Sequence, residues 1–337
     1  MGDLKLGLAQ GYWGAAPNPN FVEMAQEAER LGFDSVWSAE AWGNDAFTPL
    51  CWIGAQTEKI KLGTAVVQLS GRTPTSCAMH ALSLDYLSNG RFQLGLGVSG
   101  PQVVEGWYGR PFPKPLARTR EYIDIIRQVF KREGPVTNDG PHYPLPYPGD
   151  DGLGLGKPLK PITHPLRNEI PIYLGAEGPK NIALATEICD GWIPLFYNPY
   201  DESVYAESLV NMRPDFDIAQ MVQVNVTDDV EAGLVGFKYH MAFYVGGMGA
   251  KSTNFHKDLF VRMGYEEEAD RIQQLFMEGK RDEAAQVIPD ELADAMTLTG
   301  PRDRIKERLQ AWRDSKVTTL LVATTDKEML RTISEIV

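Results

Sequence analysis

The densest chemistry in the chain is Gly95-Leu96-Gly97-Val98-Ser99-Gly100, a formal G-x-G-x-x-G behind an apolar run. Glycine lacks a Cβ, so backbone amides there can come close to a phosphate or a planar ring. In a dinucleotide-binding unit this pattern opens a helix. Here Pro101, Gly106, Trp107, Gly109, Pro111 and Pro113 follow, and no clean helix is expected before Leu116. A tight loop at a strand end is the plainer reading. Gly175-Ala176-Glu177-Gly178-Pro179 is a second such place. Its small residues precede a helix with proline at its first position, and free amides at a helix N-terminus suit an anion. A plain turn is the alternative.

Two carboxylates sit beside these loops. Glu40 lies in Trp37-Ser38-Ala39-Glu40-Ala41-Trp42 and Glu105 follows the first glycine loop. Two acids converging on a pocket have their pKa values pushed apart, leaving one with a proton to donate at neutral pH. Trp42 offers a wall for a planar ring. Trp13, Trp107, Tyr108, Phe196 and Tyr197 also fall near predicted strand ends, as partners of a planar ligand or as core. A salt-bridged glutamate and packing tryptophans are the bland alternative.

Other chemistries lack their patterns. Ser99 is not in a G-x-S-x-G, and there is no Walker loop. His80, His142, His164, His240 and His256 show no metal-binding spacing, so no metal is expected, and His80 reads as packed in a helix. Cys51, Cys77 and Cys189 are far apart and form no C-x-x-C, which argues against a disulfide framework. The net charge of −12 argues against nucleic acid and anionic lipid as partners. No apolar run approaches the roughly 18 residues of a membrane span, and Asp3 stands where a signal peptide is basic. A cytoplasmic protein acting on a small molecule is expected.

The elements that must carry these residues have a regular beat. Apolar runs begin near Lys5, Ser35, Leu62 and Phe92, with one helical pattern in each gap, as parallel βαβ units require. Asn20 with Glu23 reads as a capping box. Thr48-Pro49, Thr73-Pro74, Gly178-Pro179 and Gly300-Pro301 read as helix starts, and a further helix is expected over Leu116–Arg132. Strands are expected at 170–176, 192–196, 219–226 and 318–324. The stretch 133–169 is rich in Pro and Gly and reads as an excursion with a short hairpin over Val136–Tyr143. The stretch 229–300 is a mostly helical insertion. Eight strands alternating with helices predict an α/β fold, a (β/α)8 TIM barrel forming one domain over 1–337 with those two insertions. An open doubly wound sheet is the alternative.

Several segments resemble the luciferase-like monooxygenase superfamily, in its branch of coenzyme F420 (deazaflavin)-dependent oxidoreductases. They are LGLAQGYWG, GFDSVWSAEAWGNDAFTPL, KLGTAVVQLSGRTPTSCAMHALSLDYLSNGRFQLGLGVSGPQVVEGWYGRPF, PIYLGAEGPKNIALATEICDGW and YVGGMGAKSTNFHKDLFVRMGY. The resemblance implies a luciferase-like barrel paired as a homodimer; Pro74–Leu87, apolar or small over much of its circumference, is the expected contact on its own pattern. It implies F420 at the C-terminal strand ends and a non-prolyl cis peptide at Ala65-Val66. It places cofactor contacts at Gln10, Glu40, Trp42, Ala65, Val66, Val98, Ser99, Gly100, Gly175, Ala176, Glu177 and Gly178. Relatives carry Asp-His where this chain has Ala39-Glu40, so the implied proton donor lies between Glu105 and Glu40, with Glu105 preferred. The implied reaction is hydride exchange between the deazaflavin C5 and a small organic substrate: a methylene-tetrahydropterin or folate, a ketone or alcohol, or an enoyl compound. An FMN-dependent monooxygenase and a non-catalytic cofactor-binding barrel are the alternatives.

Overall fold

The computed structural model describes residues 4–249 and 252–337. Its strands are β1 (Lys5–Gly11), β2 (Ser35–Ser38), β3 (Lys61–Thr64), β4 (Val67–Gln68), β5 (Phe92–Gly97), β6 (Ile172–Gly175), β7 (Gly191–Ile193), β8 (Asp217–Val226), β9 (Leu298–Gly300) and β10 (Thr319–Ala323). All pair in parallel, and β10 joins both β8 and β1, which closes the sheet. β3 and β4 are two pieces of one stave, and β9 only extends the far end of β8. The result is an eight-staved parallel barrel, as the sequence predicts.

Helices α1 (Phe21–Arg30), α2 (Phe47–Gly54), α3 (Pro74–Leu87), α4 (Pro101–Gly106), α5 (Pro115–Lys131) and α6 (Pro179–Ile188) fill the connections up to β7. Between β8 and β9 come α7 (Val230–Gly247), α8 (Phe255–Arg262), α9 (Glu266–Met277), α10 (Arg281–Gln286) and α11 (Asp290–Ala295). α12 (Arg302–Asp314) and α13 (Lys327–Ile336) complete the chain. Residues 133–169 hold only two antiparallel bridges, Val136 with Leu159 and Asn138 with Leu145, rather than a regular hairpin. No helix is long and apolar enough to cross a membrane among the described residues.

Trp37 and Tyr173 pack edge to face inside the barrel, with Ile193, Ala219 and Leu321 around them. Glycine makes the room: a Cβ on Gly63 would stand 2.3 Å from the Trp37 ring. Burying a side chain of that size contributes on the order of 3 kcal/mol. Above this layer the third stave breaks. Thr64 Oγ1 donates to the Gly95 carbonyl and accepts from its amide, both at 2.8 Å. A Cβ on Gly95 would lie 1.8 Å from the Thr64 carbonyl oxygen, so only glycine admits this approach. The next peptide, Ala65–Val66, is cis.

The helix starts differ from expectation in detail. Thr73 caps α3 by accepting from the Ser76 amide, as expected. Asn20 makes no side-chain cap, because its backbone, φ −103° and ψ 21°, is not in the extended conformation that turns a capping side chain toward the helix amides. α2 begins before Thr48, and Asp45 caps it instead, accepting from the Phe47 and Thr48 amides at 2.8 Å. A short helix, α4, does open directly behind Gly100. His80 lies on the exposed side of α3, not in its packed face.

Candidate active site

The C-terminal strand ends and α7–α8 enclose a cavity of about 710 Å³, within the range of small-molecule sites. Three walls differ in chemistry.

The first wall is built by the ends of β2 and β4. Glu40 is buried, and its carboxylate accepts from the Gln68 amide at 2.8 Å, the Ala46 amide at 3.3 Å and Arg72 Nη1 at 2.9 Å on both oxygens. Burial alone would lower the Arg72 pKa, but the hydrogen bond and charge of Glu40 outweigh it and raise it. Burial likewise opposes the charge on Asp45, yet the Thr48 and Phe47 donors, with Arg72, hold its carboxyl below the ordinary value. The acids and guanidinium here are therefore mutually satisfied. Trp42, half-exposed, and Tyr12 also line the cavity.

The second wall is the cis bulge with the glycine loops. Ala65, Val66, Val98, Ser99, Gly100, Gly175, Ala176 and Gly178 all line the cavity. Ser99 takes the left-handed conformation, φ +60°, which folds the loop back between β5 and α4. The glycines serve two ends. A Cβ on Gly97 or Gly175 would meet Val66, at 2.5 and 3.1 Å, so these two accommodate the bulge. A Cβ on Gly178 meets nothing within 4 Å, and one on Gly100 only the Gln102 side chain. Those two leave backbone open to the cavity.

The third wall joins the loop after β6 to α7 and α8. Asn254 is the buried cap of α8: its Oδ1 accepts from the His256 and Lys257 amides, and its Nδ2 donates to the Tyr244 and Val245 carbonyls. This fixes His256 against Tyr244, edge to face at 4.8 Å. His256 Nδ1 stands 2.6 Å from Oε2 of Glu177. The contact is off the line of a hydrogen bond, and neither Glu177 oxygen has a hydrogen-bond partner among the described residues. Arg262 Nη2 donates to the Glu177 carbonyl at 2.7 Å and ties α8 to the loop. Burial raises the Tyr244 hydroxyl pKa, with the Tyr12 hydroxyl adding to it. Burial and the nearby His256 push His240 down to about 4.

Two expected residues fall outside the cavity. Gln10 donates to the Phe21 carbonyl and ties β1 to the start of α1. Glu105 is exposed, one turn beyond Gln102 on α4, and accepts from the Phe112 amide at 3.3 Å. The expected convergence of Glu105 and Glu40 is thus not formed. Of the expected aromatics only Trp42 lines the cavity; Phe196 and Tyr197 are core. Tyr12, Gln68, Tyr244, Phe255 and His256 are lining residues that sequence reasoning missed. A partial signal for His256 exists: Asn254 two residues earlier is a helix-capping residue type, which places His256 in the first turn of a helix. No cluster of three or more His, Cys, Asp or Glu that could hold a metal occurs among the described residues.

Residues 7–319 match the family model for luciferase-like monooxygenases. The chain is 55% identical over 343 residues to a Mycobacterium tuberculosis protein provisionally named a coenzyme F420-dependent oxidoreductase, covering 99% of both chains. It is 28% identical to the 5,10-methylenetetrahydromethanopterin reductase of Archaeoglobus fulgidus, covering 88% of this chain and 86% of that one. Among solved structures, the coenzyme F420-dependent tetrahydromethanopterin reductase of Methanopyrus kandleri superposes with a TM-score of 0.80 at 21% identity, covering 100% and 99% of the two chains.

Proposed function

Since the chain belongs to the luciferase-like monooxygenase family, we propose that it is a coenzyme F420-dependent oxidoreductase acting on a small organic substrate. The observation that carries this reading is the cavity at the C-terminal strand ends, where a cis bulge and two open glycine amides meet an aromatic wall. The residues fit a flat ring with an anionic tail. Trp42, Ala65 and Val66 would flank the ring, and the backbone of Ser99–Gly100 and Gly178 would receive the phosphate. When bound, the deazaflavin supplies the hydride chemistry. The protein's part is to hold the ring on the bulge, exclude water and supply the matching proton.

The methylenetetrahydromethanopterin reductases among the relatives point to a methylene bridge between two nitrogens as the reducible group, so methylene-pterins head the substrate list, with ketone/alcohol pairs and enoyl compounds after them. We further assign the exposed side of α2–α3, with Trp52, Met79, Tyr86 and Leu87, to the contact of a homodimer. Light scattering at micromolar concentration tests that assignment, and a monomer would refute it.

Titration with F420 and, separately, FMN tests the cofactor. Saturable quenching of F420 fluorescence with much weaker FMN quenching is expected; the reverse preference would overturn the reading. F420 absorbance is then followed with methylene-tetrahydrofolate, secondary alcohols and enoyl compounds in turn.

A further inference from the structure

Resting on the F420 reading above, we propose that His256, oriented by the Glu177 carboxylate, is the catalytic acid and base that exchanges the reaction's proton, and that Glu40 takes no part in that exchange. The titratable groups lining the cavity are Tyr12, Glu40, Glu177, Lys180, Tyr244 and His256. Glu40 is filled by Arg72 and two amides. A proton could reach it only by displacing a buried donor. Lys180 is exposed on α6. Tyr244 is a buried phenol that keeps its proton at neutral pH. Tyr12 is exposed, and its hydroxyl lies against that of Tyr244. Glu177 and His256 remain, 2.6 Å apart, and neither Glu177 oxygen has a hydrogen-bond partner among the described residues.

The surroundings hold this pair in place. Tyr244 and His240 face His256 from α7, Glu177 faces it from the loop after β6, and Arg262 on α8 holds the Glu177 carbonyl. Lys257 turns away to Asp270 and Gln273. A carboxylate at one ring nitrogen selects the tautomer with Nδ1–H, leaving Nε2 to carry the exchangeable proton. In the reducing direction the substrate carbon gains the hydride and its two electrons. The proton from Nε2 goes to the heteroatom that gives up a bond to that carbon: the oxygen of a carbonyl whose π bond is broken, or the nitrogen released when a methylene bridge opens to a methyl group. His256 is left neutral with its remaining proton on Nδ1, and water restores the other. Oxidation runs the same steps backwards.

A phosphate-holding role fits less well. Glu177 would repel an anion placed on the ring it faces at 2.6 Å, whereas the Gly100 backbone and the Lys180 ammonium line the same cavity with no carboxylate paired to them among the described residues.

The first test uses ¹⁵N-histidine NMR on the full-length, ligand-free protein, with His256→Gln identifying the resonance. The neutral ring should be the Nδ1–H tautomer in the wild type and a mixture in Glu177→Gln. An Nε2–H tautomer in the wild type overturns the dyad, whatever the cofactor does. The second test is F420 affinity. His256→Gln and Glu177→Gln should stay within about threefold of wild type. A tenfold or greater loss in His256→Gln would make it a phosphate contact and overturn the proposal. The third uses the panel compound that F420 turns over fastest. His256→Gln should lower kcat by about a hundred- to ten-thousand-fold and remove one limb of the pH profile. Glu40→Gln should keep that limb, and its loss there instead would reverse the assignment. Failure of F420 to quench would sink the cofactor reading alone, since the tautomer result stands without it.

Discussion

Glu40 and Glu177 line one cavity, three staves apart, and both side chains are at least nine-tenths buried, at 2% and 9% exposure. Their surroundings are opposite. Glu40 receives two amides and a guanidinium; Glu177 receives no hydrogen bond from a described residue and has an imidazole nitrogen 2.6 Å away. A buried carboxylate with a full set of donors is a strut, because each donor raises the cost of protonating it. One left with an imidazole partner can change its neighbour's charge at little structural cost. Residue type and depth do not separate the two glutamates; the donors aimed at them do.

The largest expected break in this comparison is Arg72→Ala. Removing one partner of a buried pair costs about 3–5 kcal/mol, since the other charge is left unpaired. Arg72 also covers the Phe47 ring at 5.1 Å. In a chain of this size that loss lowers the melting temperature by roughly 10 °C. The double variant Glu40→Leu/Arg72→Met should recover most of it, because burying no charge is often as stable as burying two. A single variant that melts within 2 °C or so of wild type would show that the first wall is not a strut.

Acid sensitivity belongs to the third wall. An unfolded histidine titrates near 6.5, whereas His240 in the folded protein is held down at about 4. Between those values the unfolded chain binds a proton that the native one does not. Stability is therefore lost as pH falls below about 6.5 and stops falling below about 4, by up to roughly 3 kcal/mol in total. His240→Phe should keep the aromatic packing against Phe196, Phe237 and Tyr244 and flatten this slope. The check is the difference in melting temperature between wild type and variant at pH 7 and pH 4.5. An unchanged difference would remove His240 as the source.

The barrel was legible because its signals are local. Apolar runs at a regular spacing, with one helical pattern between them, define staves and crossovers, and Thr73-Pro74 and Gly178-Pro179 start helices where expected. The glycine loops were legible for the same reason. The third wall was not, because His256 meets Glu177 across 79 positions of sequence, and no periodicity relates residues brought together by closure of the barrel. Glu105 shows the converse. Its place after β5 put it on the expected rim, but α4, a helix not anticipated behind Gly100, carries it to the surface. Gln10 was likewise right in stave and wrong in direction, since its amide is spent on the Phe21 carbonyl.

The second wall supplies a test of the cofactor tail that leaves both glutamates untouched. Because a Cβ on Gly178 meets nothing, Gly178→Leu should fold normally and place its side chain where an anion would approach the amides. F420 affinity should fall about tenfold, roughly 1.4 kcal/mol. Gly175→Leu is the contrast: its Cβ would stand 3.1 Å from Val66, which must move, so this variant should lower stability as well as affinity. Equal melting curves for the two variants would mean that the glycines do not divide as their surroundings indicate.

The smallest expected effect sharpens the comparison most. Glu177→Gln removes a buried charge that no donor satisfies, and its amide keeps the shape and can still face His256. Stability should change by no more than about 0.5 kcal/mol, the range of substitutions that break no network. Glu40→Gln, the same chemical change at the same kind of depth, strands Arg72 and should cost several times more. Denaturant melts of the two variants, compared at the midpoint with equal slopes, measure the contrast directly. Near-equal losses would mean that Glu177 is also a strut, held by contacts beyond His256, and the acid–base role of the third wall would then lose its structural ground. A loss confined to Glu40→Gln would leave Glu177 as the carboxylate whose charge serves the histidine beside it rather than the fold.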